Sequence, residues 1–131
     1  MNEVLKFLTD NPTFYIATVD GDKPKVRPFG FVMEFEGKLW FCTNNKKNVY
    51  KQLKTNPCFE VSTTSPDRNW IRLKGKAVFN STTAAKAKAL EVAPILATMY
   101  SVEDSIFEVF YVEEGEATFY SMTGDSRTIK L

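Results

Sequence analysis

The spacing of apolar positions along the chain changes period repeatedly, and each change marks an element. Val4, Leu5 and Leu8 recur at helical spacing behind Asn2, a residue suited to capping, and Asn11-Pro12 stops the run. Thr13 to Val19, TFYIATV, is β-branched and aromatic and predicts a strand; Asp20-Gly21-Asp22 predicts a hairpin turn. Lys25 to Phe35 predicts a second strand, which Pro28 and Gly30 interrupt. Proline cannot donate to a ladder, so that part belongs at an edge or a bulge. After Glu36-Gly37 a third strand starts at Lys38, where Leu39, Phe41 and Thr43 alternate with Trp40 and Cys42.

The pattern then switches to a helical period. Val49, Tyr50 and Leu53 fall on one face, and Asn56-Pro57 ends the helix. Cys58 to Thr64 predicts a fourth strand and Ser65-Pro66-Asp67 a turn. A long fifth strand runs from about Asn69 to Phe79, with Ile71, Leu73 and Gly75 on one side and Trp70, Arg72 and Lys74 on the other. Ser81 to Val92 is Ala-rich and predicts a helix capped at Thr83; Pro94 to Ser101 predicts a short helical or irregular piece. Ile106 to Val112 and Ala117 to Met122 predict two strands joined at Glu113-Glu114-Gly115-Glu116, and the last nine residues are polar with no strong preference. Strands close in sequence and joined by tight turns predict a mainly β, antiparallel sheet, most economically a small barrel in a single domain over residues 1–131. Repeats, βαβ alternation and a Gly-rich dinucleotide fingerprint are absent, which argues against a Rossmann domain.

Composition narrows the function classes. Eleven Phe, five Tyr and two Trp suit a filled barrel or a dimer interface. A formal charge of +1 argues against nucleic-acid binding through bulk electrostatics. No apolar run approaches bilayer length and no leader pattern is visible, so a cytoplasmic protein is expected, with Cys42 and Cys58 reduced and buried. The chain has no His, which removes imidazole from any catalytic or ligating role.

The chemistry concentrates at the strand-to-helix elbow, Thr43-Asn44-Asn45-Lys46-Lys47-Asn48. Such an elbow offers free backbone N–H groups and the positive end of a helix dipole, and two lysines flank it, so it suits a phosphate; an ordinary helix start capped by Asn has the same composition. If the strand carrying Arg27 pairs with the strand carrying Thr43 as a hairpin, Arg27 joins the elbow. Trp70 and Arg72 share a face of the fifth strand, where they could cover an aromatic ring or simply be a barrel Trp beside an exposed Arg. Cys42 reads as a core thiol, and the scattered carboxylates suggest no acid–base pair.

Taken together, the Arg-Pro strand, FCTN, the helix ending QLKTNP, EVS and WIRLKGKAVF resemble the pyridoxamine 5′-phosphate oxidase-like FMN-binding split barrels, over about residues 2 to 120. Within them the chain looks closest to the small members of the nitroimidazole-resistance group. The resemblance implies a six-stranded antiparallel split β-barrel and a homodimer with one FMN in each of two interface clefts. It matches Arg27 to the family's phosphate-reaching Arg, and Phe41, Thr43 and Asn44 to the segment beside the flavin ring. The family's Ser-Arg-Lys phosphate run falls on Lys47, Asn48 and Val49, so one basic residue is lost there while Lys46 and Lys47 carry the charge just before it. The family's fifth-strand Gln falls on Trp70. The oxidase's C-terminal Arg-x-His segment and the nitroimidazole reductases' flavin-side His are both missing.

These readings predict an FMN-dependent oxidoreductase acting on a small molecule, with no nucleic-acid or membrane partner. Arg27, Thr43, Lys46, Lys47 and Asn48 would face the phosphate, and Pro28, Phe29, Phe41, Cys42, Asn44, Trp70 and Arg72 would surround the ring. The competing readings are a flavin store or sensor without turnover, and a deazaflavin-dependent reductase on the same fold.

Overall fold

The computed structural model describes residues 1–131. Its elements are α1 (Asn2–Asp10), β1 (Phe14–Asp20), β2 (Lys23–Phe29), β3 (Met33–Phe35), β4 (Lys38–Asn44), α2 (Asn48–Thr55), β5 (Cys58–Thr64), β6 (Trp70–Phe79), α3 (Thr83–Val92), a 3-10 turn (Pro94–Thr98), β7 (Phe107–Tyr120) and β8 (Ser126–Lys130). All strand pairs are antiparallel, in the order β2-β1-β5-β6-β7-β4-β3, with β8 on β7. The result is a mainly β split barrel whose body is the six long strands β1, β2 and β4 to β7; β3 and β8 are short additions.

Period-two alternation explains the inner face. Phe14, Ile16, Phe41, Val61, Ile71, Leu73 and Phe110 point inward from five strands, and Val4 and Leu8 of α1 and Val49 and Leu53 of α2 join the same core. Edge-on contacts such as Phe14 on Phe41 at 5.7 Å and Phe59 on Phe110 at 6.1 Å fill the interior. Full burial of each such ring stabilises the fold by about 1.5–3 kcal/mol. β4 is buried on both faces: Leu39 and Phe41 face the barrel, while Trp40 faces a second cluster with Met33, Phe107, Val109 and Ala85 and Ala89 of α3. This is why KLWFC reads as a nearly continuous apolar run.

Several sequence expectations are revised. The predicted strand Lys25 to Phe35 is two strands on different neighbours: β2 pairs with β1, and β3 pairs with β4, with Gly30 to Val32 between them. The two predicted C-terminal strands are one, β7, bent at a bulge where the β6 register shifts between Lys74 and Lys76 and Glu114 takes φ 54°. A Cβ on Gly75 would lie 2.7 Å from a Val112 methyl, so the close strand approach there needs glycine. Part of the polar C-terminus forms β8. The cap of α3 is Thr82, whose hydroxyl accepts from the Ala85 N–H, not Thr83. Cys58 is exposed rather than buried, because it lies on the outer face of β5.

Candidate functional site

The elbow between β4 and α2 is held by its own side chains. Asn44 Oδ1 accepts from the Lys46 N–H at 3.0 Å, and Asn44 Nδ2 donates to Tyr100 Oη at 2.8 Å. The Asn45 N–H donates to the Ile106 carbonyl at 2.9 Å, and Asn45 Nδ2 to Glu108 Oε2 at 2.8 Å. Both asparagines are therefore engaged in fixing the turn, and neither caps the helix. Lys47 occupies the cap position and makes no side-chain cap bond; Asn48 is the first helical residue. The first turn of α2 thus keeps the uncapped N–H groups and dipole end that favour an anion. Lys46, Lys47 and Lys51 surround it without any carboxylate in ion-pair contact.

Arg27 reaches this region by a route other than the expected hairpin. β2 pairs with β1, and Arg27 lies opposite Ile16. Its guanidinium crosses β1: Nη1 donates to Thr18 Oγ1 at 2.7 Å and to the Ile16 carbonyl at 3.3 Å, and Nη2 donates to Gln52 Oε1 on α2 at 2.6 Å. Arg27 is half-buried and has no carboxylate partner; burial lowers its pKa from the ordinary arginine value. It is a cation held by neutral oxygens, one helical turn beyond Asn48.

Beside the elbow lies a cleft of about 360 Å³. One wall is Pro28, Phe29 and Phe31; Cys42, Thr43 and Lys47 form the base. The far wall, Ile95, Leu96, Met99 and Tyr100, comes from the 3-10 turn and the residues after it. Ile95 is 73% and Met99 61% exposed, unusual for large apolar side chains. Thr43 Oγ1 is buried and has no hydrogen-bond partner. Burial pushes the Cys42 thiol up to about 12, only partly opposed by the Lys47 charge, so it stays protonated at neutral pH.

The structure thus brings Pro28, Phe29, Cys42, Thr43 and Lys47 to one cleft, with Lys46 and Asn44 on its elbow and Arg27 behind α2. Asn48 opens instead on a neighbouring recess with Lys51 and Gln52. Phe41 is a correction: it is fully buried among Phe14, Phe29, Phe59 and Phe110, because only the end of β4 reaches the cleft mouth. Trp70 and Arg72 are also not brought to the cleft within one chain. Trp70 stacks on Tyr120 at 4.1 Å with Arg72 over it at 5.1 Å, at the end of β6 opposite Phe79. Nine residues of strand is roughly 30 Å. The 3-10 wall was not predicted as part of a site; its helical spacing carries no chemical signal, and only the exposed Ile95 and Met99 mark it.

The architecture is an antiparallel split barrel with an uncapped, lysine-flanked helix start beside an apolar cleft. The sequence signature of the family described as pyridoxamine 5′-phosphate oxidase matches residues 1–120, and the chain belongs to that family. A NimC/NimA family protein from Clostridium acetobutylicum is 44% identical over all of this chain and 92% of its own, with a TM-score of 0.96. A FAD-binding protein from Mesorhizobium loti is 16% identical over 92% of this chain and 94% of its own, with a TM-score of 0.60. A heme binding protein from Mycobacterium smegmatis is 14% identical over 92% of this chain and 53% of its own, with a TM-score of 0.75. The last two share the fold alone, and their different ligands show that the fold does not choose the ligand. No curated protein matches the sequence. No helix is long and apolar enough to cross a membrane.

Proposed function

We propose that this chain is an FMN-binding homodimer that acts as a flavin-dependent oxidoreductase on a small molecule. The observation that carries the reading is Arg27, a half-buried cation with no anionic partner, bonded to Gln52 one turn into α2 from its uncapped start. Leaving such a charge without an anion is costly, and a phosphate would relieve it. Lys46 and Lys47 add positive charge at the elbow, and the unpartnered Thr43 hydroxyl gives a further donor. The apolar cleft wall, with Pro28, Phe29 and Cys42, suits a flat ring more than a polar ligand.

When bound, the flavin supplies the redox chemistry. The chain's own residues bind and orient it and exclude water. No carboxylate lines the cleft, and the Cys42 thiol is neutral, so the site offers no general base for hydrolysis. Ile95, Leu96 and Met99 leave an apolar approach for the acceptor. Trp70 and Arg72 take part only if a second copy carries them across the interface.

The test is the visible spectrum of the purified protein, identification of any cofactor released on denaturation, and NADH or NADPH oxidation with a panel of acceptors. Released FMN with turnover supports the proposal. FMN without turnover makes the protein a flavin store or sensor, and a released deazaflavin replaces the cofactor assignment. Protein that neither carries nor takes up FMN overturns the reading.

A further inference from the structure

The fork of Arg27 is closed by a ring of three side chains. Arg27 Nη1 donates to Thr18 Oγ1 at 2.7 Å, Thr18 Oγ1 donates to Gln52 Oε1 at 2.5 Å, and Arg27 Nη2 donates to the same Gln52 oxygen at 2.6 Å. One oxygen from β1 and one from α2 occupy the end of the guanidinium as the two oxygens of a carboxylate would, but without charge. With the Ile16 carbonyl as a third acceptor, three of the five guanidinium N–H groups are engaged and two remain, on the Nε side. Thr18 is buried and Gln52 partly so, and the ring joins three elements, β1, β2 and α2.

We propose that Gln52 and Thr18 are positioning residues for a phosphate: they lock Arg27 to α2, so the cation and the helix start present one preformed anion site. The inference rests on the cofactor reading above. Its physical basis is preorganisation. An arginine side chain that is already immobile loses less freedom when an anion docks, and neutral acceptors leave its charge uncompensated. A carboxylate at position 52 would hold the same geometry and cancel the charge. A glutamine therefore suits a site that must remain cationic. Gln52 touches Arg27 rather than the ligand, so its effect should fall on phosphate affinity and not on ring affinity.

The experiment compares dissociation constants for FMN and riboflavin, which differ by the phosphate, in wild-type protein and in Gln52→Met, Thr18→Val and Thr18→Ser. Gln52→Met and Thr18→Val should each reduce the preference for FMN over riboflavin by about tenfold, as expected for misaligning one charge-assisted contact. Thr18→Ser, which keeps the hydroxyl, should retain the preference within about twofold. Riboflavin affinity should move little in any of them. If Gln52→Met fails to fold, Thr18→Val, which keeps the side-chain shape and removes only the hydroxyl that bonds Arg27 and Gln52, reads the same link. Wild-type protein that binds neither flavin overturns the cofactor reading and this inference with it. Wild-type protein that prefers FMN, with variants that keep the preference or lose riboflavin equally, overturns this inference alone.

Discussion

Burial separates the two cysteines and gives each a different chemistry. Cys58 lies exposed on β5, whereas Cys42 is at the cleft base with its pKa pushed up to about 12 by burial. Against an ordinary thiol that leaves roughly a thousandfold less thiolate. A thiol reagent at pH 8 should therefore label Cys58 quickly and Cys42 far more slowly. Cys58→Ser should remove the fast phase, and fast labelling that survives in that variant would contradict the assignment. The sign of the linked stability follows. The folded thiol is held neutral while the unfolded one ionises first, so this contribution is intact below the ordinary thiol range and is lost as pH rises toward 12. The cleft also lacks any side-chain type that ordinarily titrates between about pH 5 and 8. Riboflavin binding should be flat across that window, and FMN binding should show only the phosphate's second ionisation near pH ~6. Titration by flavin fluorescence checks this; a steep single-proton step for riboflavin would reveal a perturbed group. At this scale the elbow pattern pointed to Thr43 and Lys47, while Pro28, Phe29 and Cys42, which line the same cleft, came in only with the family resemblance. The place of Phe41 was not legible, because alternation puts it on the face of Thr43 without saying which residues of that face reach the barrel mouth.

Elements were legible where the pattern was local and obscure where a distant neighbour decided. The Glu113-Glu114-Gly115 stretch looks like a turn, yet pairing with β6 on both sides of the bulge makes it the bend of a single strand. Gly75→Ala should press on Val112 at that bend and destabilise the fold by about 1–3 kcal/mol in denaturant unfolding, whereas an unchanged midpoint would mean that the strands separate freely. The loop before β7 is organised by Asp104. Its carboxylate accepts from the Ser101, Phe107 and Ile106 N–H groups, and the buried Lys86 donates to its carbonyl at 3.1 Å. The Ser101 N–H is the largest cause holding this carboxyl below its usual range; desolvation comes next and opposes it, and the Phe107 and Ile106 N–H groups and the Lys86 charge restore the lowering. A lowered folded pKa contributes stability above the ordinary carboxylate range and loses it as pH falls through the folded value. Asp104→Asn should therefore cost about 0.5–1 kcal/mol at pH 7, screened by solvent, and progressively less in acid. A deficit that stayed constant with pH would show that charge is not the cause. Because the loop carries Tyr100, which receives the Asn44 hydrogen bond, the same variant should also loosen the cleft wall.

At the scale of the whole molecule, strand order was the least legible feature. β4 pairs with β7 across the long intervening stretch from Trp40–Tyr111 to Asn44–Phe107, and no local signal encodes that choice. Yet that order leaves one face whose composition points beyond a single chain. On the outer side of β1 and β2 the register pairs Tyr15 with Pro28, Ala17 with Val26 and Val19 with Pro24, an apolar stripe in which Tyr15 is 49% and Val26 67% exposed. Pro24 and Pro28 sit on the sheet's terminal strand, where missing N–H groups discourage strand addition. Association through this region is therefore expected face to face. The register continues from Tyr15 through Ser62 to Arg72, so the same outer surface carries the Trp70–Arg72–Tyr120 stack that one chain cannot bring to its own cleft. A two-fold contact over the stripe would bury it twice and give those residues a route to the partner's cleft. Light scattering should report twice the 14.9 kDa chain mass at low micromolar concentration. Val26→Glu should shift the protein toward monomer and weaken FMN binding at the same time. Met122→Glu, at an equally exposed position in the β7–β8 turn, should do neither. A Val26→Glu protein that stays dimeric would remove the stripe from the interface, and a monomer that binds FMN as tightly as wild type would place the whole cofactor site within one chain.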